Sequence, residues 1–237
     1  MQARYLGDSH DFLKYVLLRR AAAECGFKIG LNWYLTNPED LGEAGNSDGE
    51  KRHHLKGGVW ENWDGTLLNY LKPFSYPNNR SIAKLETSGV LPEGSRFFGE
   101  HVPLVERIEG HERAFKTLSY SDFVFLDPDN GFEVPSASRP KLRKYAMYSE
   151  AADYFLRGKS VCSIQFARQC DPVKRALDVR EALCRSAGVS ASFPVLRGRV
   201  SPNILFVFLV QNHHRAALLQ MLYAMCGDSG GKAELVG

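Results

Sequence analysis

Asp127 is the residue of this sequence best placed to do chemistry, because it ends an apolar run and opens a turn. Residues 123–126 read Phe-Val-Phe-Leu, a continuous apolar run typical of a strand that is buried on both faces. Pro128 to Gly131 follow at once and favour a turn. The pattern predicts a carboxylate at the carboxyl end of a central strand, where open α/β sheets bind their ligands. Asp127 and Asp129 can serve there as proton acceptors or metal ligands, or they can simply form the turn.

Basic residues and histidines elsewhere each have a functional and an ordinary interpretation. Four basic residues crowd the predicted start of a helix directly after this loop: Arg139, Lys141, Arg143 and Lys144. Positive charge is unfavourable at a helix start, so a phosphate backbone is one candidate partner for them, and a solvated face is the other. The adjacent residues His53 and His54 cannot turn both rings toward one metal ion from a regular element, which favours a solvated loop.

The rest of the sequence supplies the elements that must position Asp127. Asp8 or Ser9 can cap a helix that ends at Gly26. Strands that alternate with helices before a closing hairpin predict a three-layer α/β sheet, mostly parallel. The predicted parallel neighbours are residues 28–35, 97–102, 122–127 and 160–166, and the C-terminal antiparallel hairpin is 190–196 with 204–211. Further helices are predicted at residues 60–74, 80–88, 104–118 (with a break near Gly110), 139–156, 171–187 and 213–225.

The domain organisation predicted from this pattern is simple. No internal repeat and no linker divides the chain, so residues 1–226 are expected to form one domain. Residues 36–59 are rich in Asn, Asp, Gly, Glu, Lys and His without periodicity, which predicts an inserted loop or lid. Residues 227–237 are expected to form a mobile tail.

The bulk composition is that of a folded protein without a membrane segment. The 237 residues are 44% hydrophobic and 24% charged, which is ordinary for a globular chain. The net charge of +3 permits nucleic-acid binding without arguing for it. No apolar run reaches membrane-spanning length and the first residues lack a signal-peptide core, which favours the cytoplasm and predicts no membrane partner. The five cysteines are scattered without a C-x-x-C pair, so we expect reduced thiols.

Several short motifs, taken in order, resemble those of the bacterial large-subunit ribosomal RNA adenine-N6 methyltransferases. Residues 7–15 (Gly-Asp-Ser-His-Asp-Phe-Leu-Lys-Tyr) resemble the family's N-terminal glycine-asparagine-histidine stretch that ends in leucine-lysine-histidine. Residues 76–84, 98–103 and 106–118 resemble its tyrosine-proline-glycine-serine segment, its ribose-binding glutamate strand and its aspartate-glycine turn. The resemblance covers most of the first 165 residues and implies a Rossmann-like methyltransferase sheet that binds S-adenosylmethionine.

The resemblance also implies which residues hold that cofactor. They are Lys14 and Tyr15 at its amino-acid end, Asn79 in the segment that resembles tyrosine-proline-glycine-serine, Glu100 at the ribose, and Glu109 and Gly110 at the adenine ring. The sequence departs from the family at the first loop, where residues 35–42 replace a glycine-rich loop that lets the backbone approach the cofactor. There is also no G-x-G-x-x-G motif and no P-loop.

Residues 127–130 (Asp-Pro-Asp-Asn) stand where the family has aspartate-proline-proline-tyrosine. The resemblance makes Asp127 the residue that accepts a hydrogen bond from the target amine. Asn130 takes the place of the aromatic residue that stacks the extruded base, so Phe132 would have to substitute for the missing ring.

These inferences predict an S-adenosylmethionine-dependent methyltransferase that acts on nucleic acid or another amine-bearing substrate. Asp127 and Asn130 are its predicted catalytic residues, and no metal is required, since the sulfonium is already an activated leaving group. Two alternatives stay open. One is a Mg²⁺-dependent nuclease or phosphoesterase with Asp127, Asp129 and Glu133 as oxygen ligands. The other is a methyltransferase-like protein that binds its partner without catalysis.

Overall fold

A seven-stranded sheet lies at the centre of the chain, whose computed structural model describes residues 1–37, 39 and 51–237. Within these ranges the strands are β1 (Ile29–Asn32), β2 (Arg96–Phe98), β3 (Phe123–Leu126), β4 (Ser160–Ala167), β5 (Val195–Gly198), β6 (Asn203–Leu209) and β7 (Ala233–Val236). Their order across the sheet is β2-β1-β3-β4-β6-β5-β7. β1 pairs in parallel with β2 and β3, and β3 pairs in parallel with β4. The pairs β4–β6, β6–β5 and β5–β7 are antiparallel.

This arrangement confirms the predicted α/β class and the predicted parallel neighbours. The strand that ends before Asp127 is β3, which lies inside the sheet between β1 and β4. The predicted hairpin is β5–β6, and it belongs to the same sheet. Its first strand begins at Val195 instead of residue 190, because only Val195–Gly198 pairs with a neighbouring strand.

Helices cover both faces of the sheet. In the described ranges they are α1 (Ser9–Cys25), α2 (Val59–Leu71), α3 (Ile82–Glu86), α4 (Arg107–Thr117), α5 (Tyr148–Leu156), α6 (Pro172–Ser186) and α7 (Arg215–Asp228). Helices α1, α2 and α7 pack on one face, over side chains such as Phe125. Helices α4, α5 and α6 pack on the other face, over side chains such as Val124. None of these helices is long and apolar enough to cross a membrane.

Helix α1 brings the first charged residues to the site. Its N-cap is Asp8, whose Oδ1 accepts hydrogen bonds from the backbone amides of His10 (2.8 Å) and Asp11 (2.9 Å). It ends at Gly26, which adopts a left-handed conformation with φ of 69°. The residues from Ser9 to Leu18 are buried all round the helix, so the polar side chains of its first turns lie inside the protein.

Two predicted helices differ from the observed elements. The one expected over residues 139–156 is divided into a 3₁₀ helix, Arg139–Lys144, and helix α5, because Ala146 is extended and pairs with Phe132 in an isolated bridge. The break expected near Gly110 is absent from α4, which runs unbroken from Arg107 to Thr117. A Cβ at Gly110 would lie 3.0 Å from Pro103 Cγ, so this glycine allows close packing of the helix instead of ending it.

The mobile tail expected over residues 227–237 is also replaced by regular structure. Helix α7 continues to Asp228, and Ala233–Val236 forms β7 against β5. Ala233 and Val236 are buried by this pairing. A short strand of this kind depends on a distant partner, which its own sequence does not reveal.

The inserted loop predicted over residues 36–59 lies partly outside the described residues. Its described end forms a 3₁₀ helix, His53–Lys56, that leads into α2. His54 is completely buried, contrary to the solvated loop expected for it. Its Nδ1 is 3.1 Å from Ser9 Oγ, and its ring packs against Phe12 and Trp60, so contacts from other elements remove it from water.

Candidate functional site

A cavity of about 740 Å³ opens above Asp127 at the carboxyl end of β3. Its walls come from the start of α1, the loop after β3, the residues that end β4, and the turn between β5 and β6. The turn reaches the cavity because β6 is antiparallel to β4, which places Asn203 beside Ala167. We call this cavity the Asp127 cleft. Its volume is within the range of ligand pockets in proteins.

The cleft lies next to the point where the strand order reverses. β1 has β2 on one side and β3 on the other. After β2 the chain crosses over β1 to form β3, so the direction of strand addition reverses there. In parallel α/β sheets, ligands bind at the carboxyl ends of such a pair of strands. The backbone amide of Asp127 donates to the carbonyl of Asn32 (3.0 Å), so the carboxylate directly follows the paired part of β3.

Asp127 and Lys14 form a buried ion pair at the bottom of the cleft. Lys14 Nζ is 2.8 Å from Asp127 Oδ1 and 3.0 Å from Asp11 Oδ1. The contact with Oδ1 is an ion pair without the geometry of a directed hydrogen bond, and Oδ2 has no hydrogen-bond partner among the described residues. Asp127 is only 1% exposed. A buried carboxylate oxygen without a partner is energetically costly, and a ligand N–H that reached it would supply the missing hydrogen bond.

The charges of this cluster change one another's protonation. Burial alone would lower the pKa of Lys14, but the charges of Asp127 and Asp11 outweigh burial and raise it above its usual value. Burial raises the pKa of Asp11 to about 6, although the Lys14 ammonium opposes part of the rise. Burial also opposes ionisation of Asp8, but the hydrogen bond and charge of His10 outweigh it and hold the pKa of Asp8 below its usual value. Lys14 is therefore charged, and the pKa of Asp11, about 6, lies well above that of an ordinary aspartate.

His10 connects the acidic cluster to the β5–β6 turn. Its Nδ1 is 3.3 Å from Asp8 Oδ2, and its Nε2 is 2.9 Å from the carbonyl oxygen of Pro202. Its ring meets Phe166 edge to face, with 5.2 Å between centroids. Through these contacts His10 joins the start of helix α1, on one side of the cleft, to β4 and the β5–β6 turn on the other side.

Asp129 occupies a different environment from Asp127. Its Oδ2 accepts hydrogen bonds from Thr36 Oγ1 (2.8 Å) and Gln2 Nε2 (3.1 Å), and its Oδ1 is 3.2 Å from the Met1 amino group. Asp129 therefore holds the first residues of the chain against the segment after β1. It has local partners, whereas Asp127 leaves one oxygen without any in the described ranges.

Basic and aromatic side chains lie farther out than the acidic cluster. Asp8, Asp11 and Asp127 are buried together with Lys14, whereas five basic or aromatic residues of the lining are half-buried or exposed: Tyr5, Lys51, Lys144, Phe166 and Arg168. The cleft thus has an acidic floor and a basic, aromatic rim. Such a rim suits phosphate groups and flat rings, and the floor suits an amine.

The residues implied by the resemblance are divided between several places. Lys14, Asp127 and Asn130 line the Asp127 cleft. Glu100 and Gly110 line a separate cavity between β2 and α4. Tyr15 is buried beside Asp11, Asn79 lies in a surface depression with Tyr76, and Glu109 is exposed on α4.

The cavity at Glu100 does not fit the adenosine half of S-adenosylmethionine. Its volume is about 30 Å³, the space of one water molecule. Glu100 Oε2 accepts a hydrogen bond from Arg113 Nε at 2.9 Å. Tyr34 fills the region after β1 where a glycine-rich loop would leave room, with its backbone in the left-handed region at φ of 46°.

A partly buried ion pair holds Tyr34 in that position. Tyr34 donates a hydrogen bond to Glu150 Oε2 (2.9 Å), and Arg107 donates to both oxygens of Glu150, at 2.6 and 3.0 Å. The space beside Glu100 is therefore filled and does not fit the adenosine half of this cofactor. The structure differs from the resemblance at the adenosine half of the cofactor. Lys14, implied at its amino-acid end, and Asp127, implied at the methyl acceptor, do line the same cleft.

The described residues also lack the ligand set expected of a metal-dependent nuclease. No group of three or more His, Cys, Asp or Glu side chains in the described ranges is arranged to hold a metal ion. The space between Asp11 and Asp127 contains the Lys14 ammonium. Asp129 is directed to Thr36 and Gln2 instead of joining these carboxylates.

Sequence reasoning missed Asp11 and His10, and it assigned Asp8 only a capping role. A signal was present, since Asp8, Asp11 and Lys14 recur every three residues along one side of the helix start. When the remaining positions of a helix start are apolar on every side, charged residues at that spacing indicate a polar cluster that is buried with them.

A scan of the chain against protein-family models gave no match, and searches of curated proteins and of solved structures gave none either.

Proposed function

We propose that the chain is an enzyme that modifies an amine of a nucleobase, carried by a nucleotide or a nucleic acid, in the Asp127 cleft. One observation carries this proposal: Asp127, whose buried Oδ2 has no hydrogen-bond partner in the described ranges, lines a cavity of about 740 Å³. An exocyclic amine can donate a hydrogen bond to that oxygen. Lys14 holds the carboxylate in place through the other oxygen.

The rest of the cleft is consistent with such a ligand. Phe166 offers a half-buried ring against which a base can stack, and Lys51, Lys144 and Arg168 offer positive charge to phosphate groups. A base held in a duplex would have to leave the stack to reach the recessed Asp127. Asp127 would then direct the nitrogen of the amine into the cleft, where the reaction takes place.

Methyl transfer is the candidate reaction. Two features support it: the order of the strands, with β3 inside a mostly parallel sheet and β6 antiparallel, and the resemblance of residues 7–15 and 127–130 to methyltransferase motifs. S-adenosylmethionine is the methyl donor that the resemblance implies. The filled space at Tyr34 opposes its adenosine half, so the donor would require a position that differs from the one implied by the resemblance.

Asp127→Asn tests the proposal with pairs of ligands that differ only at the amine. We expect the wild type to prefer adenosine over purine riboside, or cytidine over pyrimidin-2-one riboside, because only the first of each pair has an exocyclic amine that can donate to Asp127 Oδ2, and the second has no ring N–H in its place. The variant should lose that preference, with affinity for the amine-bearing ligand reduced about 10- to 100-fold, since a hydrogen bond to a charged group is lost. Isothermal titration calorimetry measures both quantities.

Asp129→Asn is the matched control, because this residue lies in the same loop but bonds to Thr36 and Gln2. It should keep the preference for the amine. An unchanged preference in Asp127→Asn, or no binding of any of the four nucleosides to the wild type, would contradict the proposal. S-adenosylmethionine titrated in the same panel tests methyl transfer, and absence of binding would exclude it as the donor.

A further inference from the structure

A second cavity, of about 540 Å³, adjoins the Asp127 cleft. Asn130, Phe166 and Arg168 line both cavities and so form the boundary between them. The second cavity continues past this boundary along the start of helix α6, where it is lined by Lys174 and Arg175. We call it the α6 cavity. One ligand can therefore occupy both spaces across Phe166.

The charges of the α6 cavity do not all cancel. Asp171 caps helix α6 by accepting a hydrogen bond from the backbone amide of Lys174 (2.6 Å). Asp178 Oδ2 accepts from Lys174 Nζ (2.7 Å), so the charge of this lysine is neutralised locally. Arg168 and Arg175 have no ion pair within the described ranges. Two guanidinium groups are thus left to face an anion in this cavity.

Arg168 is also held near the boundary with the Asp127 cleft. Its guanidinium carbon lies 5.1 Å from the centroid of the Phe166 ring. The ring of His10 also contacts Phe166, edge to face. A guanidinium in this position can bond a phosphate with two parallel N–H donors. The ring that Arg168 contacts is the same ring against which the proposed function places a base.

We propose that the α6 cavity is the subsite for a phosphate group of the ligand, with Arg168 and Arg175 as its contacts. The inference rests on the proposed function, since the amine of the same ligand would lie at Asp127. The phosphate can belong to a free nucleotide or to the phosphodiester backbone of a nucleic acid. Both sources present the same anionic oxygens to the two arginines.

The test compares ligands with and without phosphate on the double variant Arg168→Gln/Arg175→Gln. Adenosine, adenosine 5′-monophosphate, a short oligoadenylate and inorganic phosphate are titrated by calorimetry. We expect the phosphate to raise wild-type affinity for the nucleoside by about tenfold or more, because charge-assisted hydrogen bonds are added. The double variant should lose this gain and keep its affinity for adenosine.

Lys174→Gln is the matched control in the same cavity. Its ammonium is paired with Asp178 and is largely exposed, so its removal should change the phosphate gain little. Thermal unfolding of both variants establishes that each is folded. Tighter binding of the oligoadenylate than of the monophosphate, lost in the double variant, would assign the phosphate to a nucleic-acid backbone. Equal binding of the two would assign it to a nucleotide.

The failure of this inference can be distinguished from the failure of the proposed function. Equal affinity for adenosine and its monophosphate, or a phosphate gain that survives in the double variant, would overturn the subsite alone. Absence of any binding by nucleosides and nucleotides would overturn both proposals. Inorganic phosphate that competes with the monophosphate in the wild type and not in the double variant would support the subsite directly.

Discussion

His54 shows at the scale of a single residue how burial controls protonation. Burial lowers its pKa to about 4, well below the usual 6.5, although the charge of Asp8 opposes part of the fall. The folded protein therefore keeps His54 neutral at a pH where the unfolded chain takes up a proton. The neutral ring contributes stability that is fully present above pH 6.5 and is lost as the pH falls toward 4.

This linkage gives a prediction for the variant His54→Gln. The variant lacks the titrating group, so the difference in unfolding free energy between wild type and variant should shrink by about 3 kcal/mol between pH 7 and pH 4. Urea unfolding followed by fluorescence at several pH values measures it. His53→Gln is the matched control, because His53 is exposed and its variant should follow the wild-type curve. A constant difference for His54→Gln across this range would show that the ring titrates normally.

The residues of the site also show what the sequence could reveal. Asp127 was identifiable because one carboxylate followed an apolar strand and preceded a turn. The three-residue spacing of Asp11 and Lys14 was a signal of a polar cluster, whereas the burial of His54 was not identifiable, since it depends on contacts with elements that are far away in the chain. The predicted ribose contact, Glu100, was placed from a short motif, and the motif could not show that Arg113 and Tyr34 take up the space around it.

At the scale of elements, the loop after β3 depends on a close approach to β4. Gly131 has a φ of 90°, and a Cβ there would lie 2.5 Å from Gln165 Oε1 and 3.0 Å from Gln165 Cα. The same Gln165 oxygen accepts a hydrogen bond from the backbone amide of Phe132 (2.9 Å). The loop that carries Asp127 and Asn130 is therefore fixed against β4 by a position that has no room for a side chain.

Gly131→Ala should destabilise the protein more than a left-handed conformation alone explains. Gly94→Ala is the matched control, because Gly94 has a φ of 78° and no atom within 4 Å of its Cβ position. We expect Gly94→Ala to cost about 1–2 kcal/mol from backbone strain. Gly131→Ala should cost at least about 1–3 kcal/mol more, because Gln165 must move. Chemical denaturation of both variants measures the difference in unfolding free energy. An equal loss in the two variants would mean that the loop after β3 shifts to accept the added Cβ without cost.

Elements were predictable from the sequence where their own pattern was strong. Helix α1 has a cap, an apolar body and a terminal glycine, and its observed limits match the prediction closely. The interrupted segment before α5 was not predictable, because its extended backbone is imposed by pairing between Ala146 and Phe132. Local residues favour a helix there, and a contact with a separate loop prevents it.

At the scale of the whole molecule, the direction of each strand determines which side chains meet. Parallel β1, β3 and β4 bring their carboxyl ends to one edge of the sheet, and antiparallel β6 brings its first residue to the same edge. The start of α1 covers this edge, so four separate parts of the chain enclose the Asp127 cleft. The alternation of strands and helices made this meeting of strand ends predictable, whereas the lateral position of α1 required the structure.

The C-terminal strand supplies the last prediction for the whole molecule. β7 covers β5, buries Ala233 and Val236, and places Glu234 Oε1 at 2.7 Å from Arg197 Nη1. Deletion of residues 233–237 should lower the unfolding free energy by about 2–4 kcal/mol, mainly through lost burial of Val236 and lost strand pairing. It should also promote self-association, because β5 would become an open edge with unpaired amides.

Glu234→Ala separates the ion pair from the strand and should cost at most about 1 kcal/mol, since the pair is half-exposed. Thermal unfolding and light scattering measure the two effects, and an unchanged melting temperature after the deletion would show that residues 233–237 behave as a tail and leave the sheet at β5.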